Sequence, residues 1–427
     1  MSQPIIALVT QKLDNLKKLR GTTIDFLKTS FGNIIEWYDF SLYGIFAVSI
    51  ASAFFPSSNK FLSMLMVFFA FSISFIARPM GSVIFGYIGD KFGTHYSVNI
   101  SVWCMAVPTV VIGLLPTYQQ IGIIAPLILV FLRFLQGISV GGQLSGLITI
   151  AVESSKTQRS FLVSTILAIA IFGGLLASTV GLISQSALGG YSKELAWRVP
   201  FILSGLLFMI YLKIKPDHEK HVASGQFSIS AIFKKQPSEI FYMTMLSATM
   251  ASMYYVLFSY FVPYLQVYTN SFKHAPLIAM NVFLGISLFG YPIAGKLADA
   301  SSNRIKVSKN FVLMFCFGAI LLSLNKNFVW VIGCLFIMIM AYCFLASYVT
   351  SMFAEIFDEK YRMTACSICY SGGTVFGGFS PLISEVLASK SFGGFFMYLL
   401  CLGFATYLIL DKITLTDGYQ KHINILD

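Results

Sequence analysis

The chain has 427 residues, of which 56% are hydrophobic and only 11% charged, and its mean hydropathy is +0.77. A soluble domain carries about 25% charged residues, so the ionisable groups here are too few to cover a water-facing surface, and lipid must cover much of it. The formal net charge of +11 would suggest nucleic acid in a soluble protein, but here the placement of the basic residues matters more than their sum.

Residues 1–30 form a polar segment, and the apolar run after them is too long for the core of a cleavable leader, so it is expected to remain as the first span. Apolar runs of the roughly 20 residues needed to cross a bilayer as helix then recur near 31–55, 62–88, 97–115, 122–152, 161–183 and 197–214. A lysine-rich polar connector covers 215–238. Six further runs lie near 240–268, 276–299, 309–325, 329–356, 363–388 and 394–411, followed by a tail over 412–427. A membrane strand needs only about 10 residues in alternation, so these are helices. The expected fold is an all-α membrane protein of twelve transmembrane helices in two six-helix bundles, 31–214 and 239–411.

If residue 1 lies inside, the inner loops and ends hold 20 of the 29 Lys and Arg residues and the outer loops hold six. The other three, Arg78, Arg133 and Lys296, fall within spans. The positive-inside bias then puts both termini in the cytoplasm of a bacterial-type inner membrane. It also accounts for the net charge without nucleic acid.

The two halves repeat. Gly86-Tyr-Ile-Gly-Asp90 ends the second span and Gly295-Lys-Leu-Ala-Asp299 ends the eighth, while Glu153 with Arg159 follows the fourth and Glu355 with Arg362 follows the tenth. A duplicated carrier places its site between the repeats. The turn residues Gly86, Asp90 and Gly93, together with Glu153, Arg159, Asp299, Glu355 and Arg362, are expected to lock the cytoplasmic side.

Charges within spans are the informative residues, because each costs about 2.5–3.5 kcal/mol at a helix centre unless paired or wetted. Gly32, Glu36, Asp39 and Tyr43 line one face of the first span. Arg133, Gln136, Val140 and Gln143 line a face of the fourth. Asp39 is taken as the counter-ion of Arg133, since an ionised carboxylate holds the guanidinium and a protonated one releases it. The second half offers aromatics and hydroxyls instead, among them Tyr254, Tyr255, Tyr342, Ser347, Tyr348 and Tyr370, and aromatic faces can hold a quaternary ammonium. The candidate substrate contacts are Glu36, Trp37, Tyr43, Arg133, Gln136, Gln143, Tyr255 and Tyr348, with Asp39 and Arg133 as the coupling pair.

No phosphate-binding GxxxxGK[ST] loop or HExxH motif is present, and the seven cysteines all lie in apolar runs without a disulfide framework. No enzyme activity, cofactor or metal site is expected.

Several strings resemble the metabolite:proton symporters of the major facilitator superfamily, which include the proline/betaine, α-ketoglutarate, citrate and shikimate permeases. They are Gly32-Asn-Ile-Ile-Glu-Trp-Tyr-Asp-Phe40, Ala77-Arg-Pro-Met-Gly81, Phe85-Gly-Tyr-Ile-Gly-Asp-Lys-Phe-Gly93, Gln136-Gly-Ile-Ser-Val-Gly-Gly142 and Ala196-Trp-Arg-Val-Pro-Phe201. They run in family order through the first half. Ala354-Glu355, Arg362 and Phe376-Gly-Gly378 continue the likeness more loosely. The sequence departs from the family at Gln143, where an acid is usual, and at Thr94-His95, where Arg or Lys is usual. The resemblance implies a monomeric, proton-coupled importer of a small polar metabolite, such as an organic acid or a zwitterionic osmolyte, working by alternating access. An exporter or exchanger without proton coupling, or a non-transporting receptor, are the competing readings. The expected partners are the small-molecule substrate, protons or another coupling ion, and membrane lipid.

Overall fold

A computed structural model describes residues 28–58, 60–215, 229–261, 264–265, 275–325, 327–390 and 392–419. Most of the expected N-terminal segment, the middle of the connector, the end of the seventh span and the end of the tail lie outside these residues.

The described residues are almost wholly helical. The first span, α1, is two helices, Lys28–Ile45 and Ala47–Phe54, bent by 70°. Then come α2 (Lys60–Phe92), α3 (Thr94–Leu114), α4 (Ile124–Ser154), α5 (Arg159–Leu188) and α6 (Lys193–Ile214). The second set comprises α7 (Pro237–Tyr255), α8 (Ala275–Asp299), α9 (Arg304–Leu324), α10 (Phe328–Val349), α11 (Arg362–Gly378, continued by Ser380–Lys390) and α12 (Phe392–Ile413). Ten helices are long and apolar enough to span alone, and the bent α1 pair makes eleven. The twelfth, α11, is interrupted at Phe379, so neither piece reaches full length.

Large apolar side chains such as Phe69, Ile76, Leu127, Phe131, Leu182, Phe289 and Phe404 are exposed on the outside, as lipid-facing helices require. Inside, backbone approaches backbone. In α4, Gly137 and Gly141 lie against α2, and a Cβ added there would sit 2.3 Å from the Ser74 carbonyl oxygen and 2.2 Å from that of Arg78. Small residues four apart permit such contact where no water drives helices together. The Ser74 hydroxyl also donates to the Arg133 carbonyl at 2.9 Å. This packing sets the rotation of α2 and α4 about their axes, and hence where their arginines point.

The bundles meet mainly through α2 against α11 and α5 against α8. Both seams need glycine: an added Cβ at Gly86 would lie 2.7 Å from the Thr364 Cα, and one at Gly295 would lie 2.7 Å from the Ser160 carbonyl oxygen.

Candidate functional site

On α1, the stripe read from the sequence divides between two environments. Asp39 and Tyr43 turn into the first bundle. The Asp39 carboxylate meets the Arg133 guanidinium at 3.2 Å, with 0% and 1% of their side chains exposed. The same guanidinium lies 3.6 Å from the centre of the Tyr43 ring, whose hydroxyl donates to the Val67 carbonyl. Nearby, the Gln136 amide donates to the Thr109 hydroxyl at 2.9 Å. The pair is only partly satisfied, since Asp39 Oδ1 and Arg133 Nε and Nη2 are buried without partners. One hydrogen bond therefore joins the two ions.

Glu36, three residues earlier, faces a cavity between the bundles. The cavity is small, about 70 Å³, with Glu36, Trp37 and Arg78 on one side and Tyr254, Tyr255, Tyr291, Tyr342 and Tyr370 on the other. Its walls are mostly apolar and aromatic, with a few polar groups converging on it, which is the usual make-up of a small-molecule site. Glu36 Oε2, Trp37 Nε1 and Arg78 Nε are all buried without a hydrogen-bond partner. Among the described residues, neither Glu36 nor Arg78 makes an ion pair. One acid and one guanidinium thus face a common space without a direct ion pair.

A second, wider space of about 520 Å³ lies towards the far ends of the helices, lined by Phe40, Tyr43, Phe71, Phe258, Ser259 and Asn281. Trp37, Tyr254 and Tyr255 border both spaces. The Trp37 and Tyr254 rings meet edge-on at 5.6 Å across the bundles, forming a septum. Directly after this tyrosine pair α7 changes to π winding over Val256–Tyr260, a distortion frequent at functional sites.

The opposite end is closed by two matching latches. Asp90, at the end of α2, accepts hydrogen bonds from the Met363 and Thr364 amides at 3.1 and 2.9 Å, and from the Thr364 hydroxyl. Asp299, at the end of α8, accepts from the Ser160 and Phe161 amides at 2.8 and 2.9 Å. Each carboxylate thereby caps the free amides at the start of a helix in the other bundle, where the helix dipole also favours negative charge. Arg362 reaches Glu153 across the seam at 3.2 Å. Arg304 holds Glu355 while donating to the Ser351 and Ser160 hydroxyls. Gly93, with φ of 102°, joins α2 to α3 in a single left-handed residue.

Of the expected substrate contacts, Glu36, Trp37 and Tyr255 line the cavity, and Tyr43 borders the wider space. Arg133, Gln136 and Gln143 are sealed in the first bundle, and Tyr348 packs on Phe311 at 5.6 Å. Neither amide atom of Gln143 has a partner. Of the expected lock residues, Arg159 bonds only its local Ser155 carbonyl at 3.2 Å among the described residues, and Arg304 takes the place beside Glu355. Arg78, noted from the sequence only as a charge within a span, and Arg304 are not among the expected site residues. For Arg78 the signal was a charge at mid-span; its partner is 177 residues away. For Arg304 it was the position five residues after the repeated aspartate, where the first half has His95.

A sequence model described as Major Facilitator Superfamily matches residues 29–351. A putative proline/betaine transporter of Staphylococcus aureus (strain MSSA476) is 30% identical over 396 residues, covering 88% of this chain and 83% of that protein. The proline/betaine transporter of Salmonella typhimurium is 28% identical over 386 residues, covering 85% and 77%. Among solved structures, the proton:xylose symporter XylE bound to 6-bromo-6-deoxy-D-glucose matches with a TM-score of 0.74 at 15% identity, covering 95% of this chain and 98% of that one. FucP in the outward conformation matches with a TM-score of 0.69 at 13% identity, covering 91% and 98%. At such identities the structural likeness speaks for the fold alone.

Proposed function

The chain belongs to the Major Facilitator Superfamily, and we propose that this membrane transporter is a proton-coupled symporter that takes up a zwitterionic osmolyte of the proline or betaine kind by alternating access. The observation behind the substrate class is the cavity itself. It presents an acid, a guanidinium and several aromatic faces to one space. A quaternary or secondary ammonium is attracted to aromatic rings and to a carboxylate, and a substrate carboxylate is attracted to a guanidinium. The names of the similar bacterial proteins support the same class.

The latched end is taken as cytoplasmic, in an inner membrane, on the strength of its Lys and Arg content. The molecule is then closed inwards, with the wider space towards the outside. Asp39 and Arg133 act as the coupling pair. Joined by one bond in a dry site, they separate when Asp39 takes a proton. Glu36, one turn away on the same face, lies between this pair and the cavity and provides the proton's route. Release of Arg133 alters the packing of α1 on α4 and so the balance between inward and outward forms.

The test is uptake into proteoliposomes of labelled glycine betaine, L-proline and, as an organic-acid probe, α-ketoglutarate. An inside-alkaline gradient is expected to drive accumulation of a zwitterion above its outside concentration, and a protonophore to abolish it. Accumulation indifferent to the protonophore would remove the proton coupling. Preference for α-ketoglutarate would remove the zwitterion reading.

A further inference from the structure

One hydrogen bond crosses the cavity between side chains of different bundles. Arg78 of α2 donates through Nη1 to the Tyr255 hydroxyl of α7 at 3.2 Å. Its guanidinium lies 4.2 Å from the centre of the Phe75 ring and 5.5 Å from that of Phe40. Phe75 also meets the Tyr255 ring edge-on at 5.6 Å. The guanidinium is thus held in place by rings and one neutral phenol, and its Nε is buried with no acceptor.

A phenol is a poor final partner for a buried guanidinium. An ionised carboxylate accepts two parallel N–H bonds from the guanidinium fork, and such bonds are about twice as strong as neutral ones. We propose that Arg78 is the anchor for the substrate's carboxylate and that Tyr255 is its placeholder. In the empty site the Arg78–Tyr255 bond clasps the two bundles together. A carboxylate arriving from the outer side takes the Nε and Nη edge, frees the phenol and undoes the clasp. The cationic end of the same molecule then lies among Trp37, Tyr254 and Glu36. A cation lacking a carboxylate occupies the aromatic end but leaves the clasp closed, which makes Arg78 the residue that decides specificity. This rests on the zwitterionic substrate class proposed above.

The test uses the full purified chain in detergent and two probes that share a trimethylammonium group, glycine betaine, which has a carboxylate, and choline, which has none. Affinities are measured by calorimetry for the unaltered protein and for Arg78→Gln, Arg78→Lys and Tyr255→Phe. The unaltered protein is expected to prefer betaine. Arg78→Gln is expected to weaken betaine by about tenfold to a hundredfold while leaving choline nearly unchanged. Arg78→Lys, which keeps a point charge, is expected to fall between, and it serves if the glutamine variant does not fold. Tyr255→Phe is expected to bind betaine as well or a few-fold more tightly, because no phenol has to be displaced.

Equal weakening of both probes by Arg78→Gln and Arg78→Lys would reduce Arg78 to a structural role and overturn the inference while leaving the zwitterion reading intact. So would loss of betaine in Tyr255→Phe as deep as in the arginine variants, since the phenol would then be a substrate ligand rather than a placeholder. Failure of the unaltered protein to bind betaine would instead strike the substrate class, and this inference with it.

Discussion

Asp39 and Arg133 form an ion pair at 3.2 Å that is 0% and 1% exposed, one helical turn from a cavity that neither of them lines. The separation matters for mechanism. A coupling pair inside one bundle can respond to protons without competing with substrate for the same atoms.

Removing one partner of such a pair strands the other charge. Asp39→Asn is expected to abolish gradient-driven accumulation while leaving substrate exchange measurable, and to lower stability by about 3–5 kcal/mol. The double variant Asp39→Asn with Arg133→Gln is expected to recover most of that stability but not uphill transport. Uptake and exchange in proteoliposomes, with thermal unfolding in detergent, check both parts. Undiminished uphill uptake by Asp39→Asn would take the pair out of coupling.

The latches predict exposure of the seam. Asp90→Asn keeps the shape of the side chain but loses the charge that faces the start of α11. About 1 kcal/mol of helix-dipole stabilisation is lost, raising the open population roughly fivefold. Cys366, fully buried two residues beyond Thr364, is expected to react several-fold faster with a maleimide, read by peptide mass mapping. Asp299→Asn should act the same way through α5. An unchanged rate in both variants would show that the carboxylates do not hold this end shut.

Gln143 is a fully buried amide with no partner for either atom. An unmade hydrogen bond of this kind costs about 1–3 kcal/mol. Gln143→Leu is therefore expected to raise the melting temperature. A lower melting temperature would mean that the amide is bonded in the folded protein.

The glycine seam inside the first bundle gives a contrast. Gly141→Ala places a methyl group 2.2 Å from the Arg78 carbonyl oxygen, and overpacking of this kind costs about 1–3 kcal/mol. It is expected to lower stability and displace Arg78, and so to weaken betaine binding. Gly44→Ala, where nothing lies within 4 Å, is expected to be tolerated. Equal tolerance at both positions would mean that α2 and α4 can separate freely.

Much of the molecule was open to reading along the chain. The number of spans followed from run lengths, because a helix must cross about 30 Å of hydrocarbon with every backbone group bonded internally. The matched Asp90 and Asp299 turns, and the acids and arginines that follow α4 and α10, were visible as repeats in the linear order. The stripe on α1 followed from helical periodicity. Within that stripe the neighbours Glu36 and Asp39 nonetheless went to different places, one to the cavity and one to Arg133.

Chain order alone determined the helical architecture, its duplication and the set of charges that could not face lipid, because each follows from local spacing and from the cost of polarity in hydrocarbon. The fold decided which arginine meets which partner. Arg133 and Arg78 are equally expensive at mid-span. The close approach of α2 to α4 at Gly137 and Gly141 fixes how each helix is turned, burying Arg133 against Asp39 and leaving Arg78 to face Tyr255 from the other half. That rotation depends on contacts between residues far apart in sequence, which no local pattern encodes.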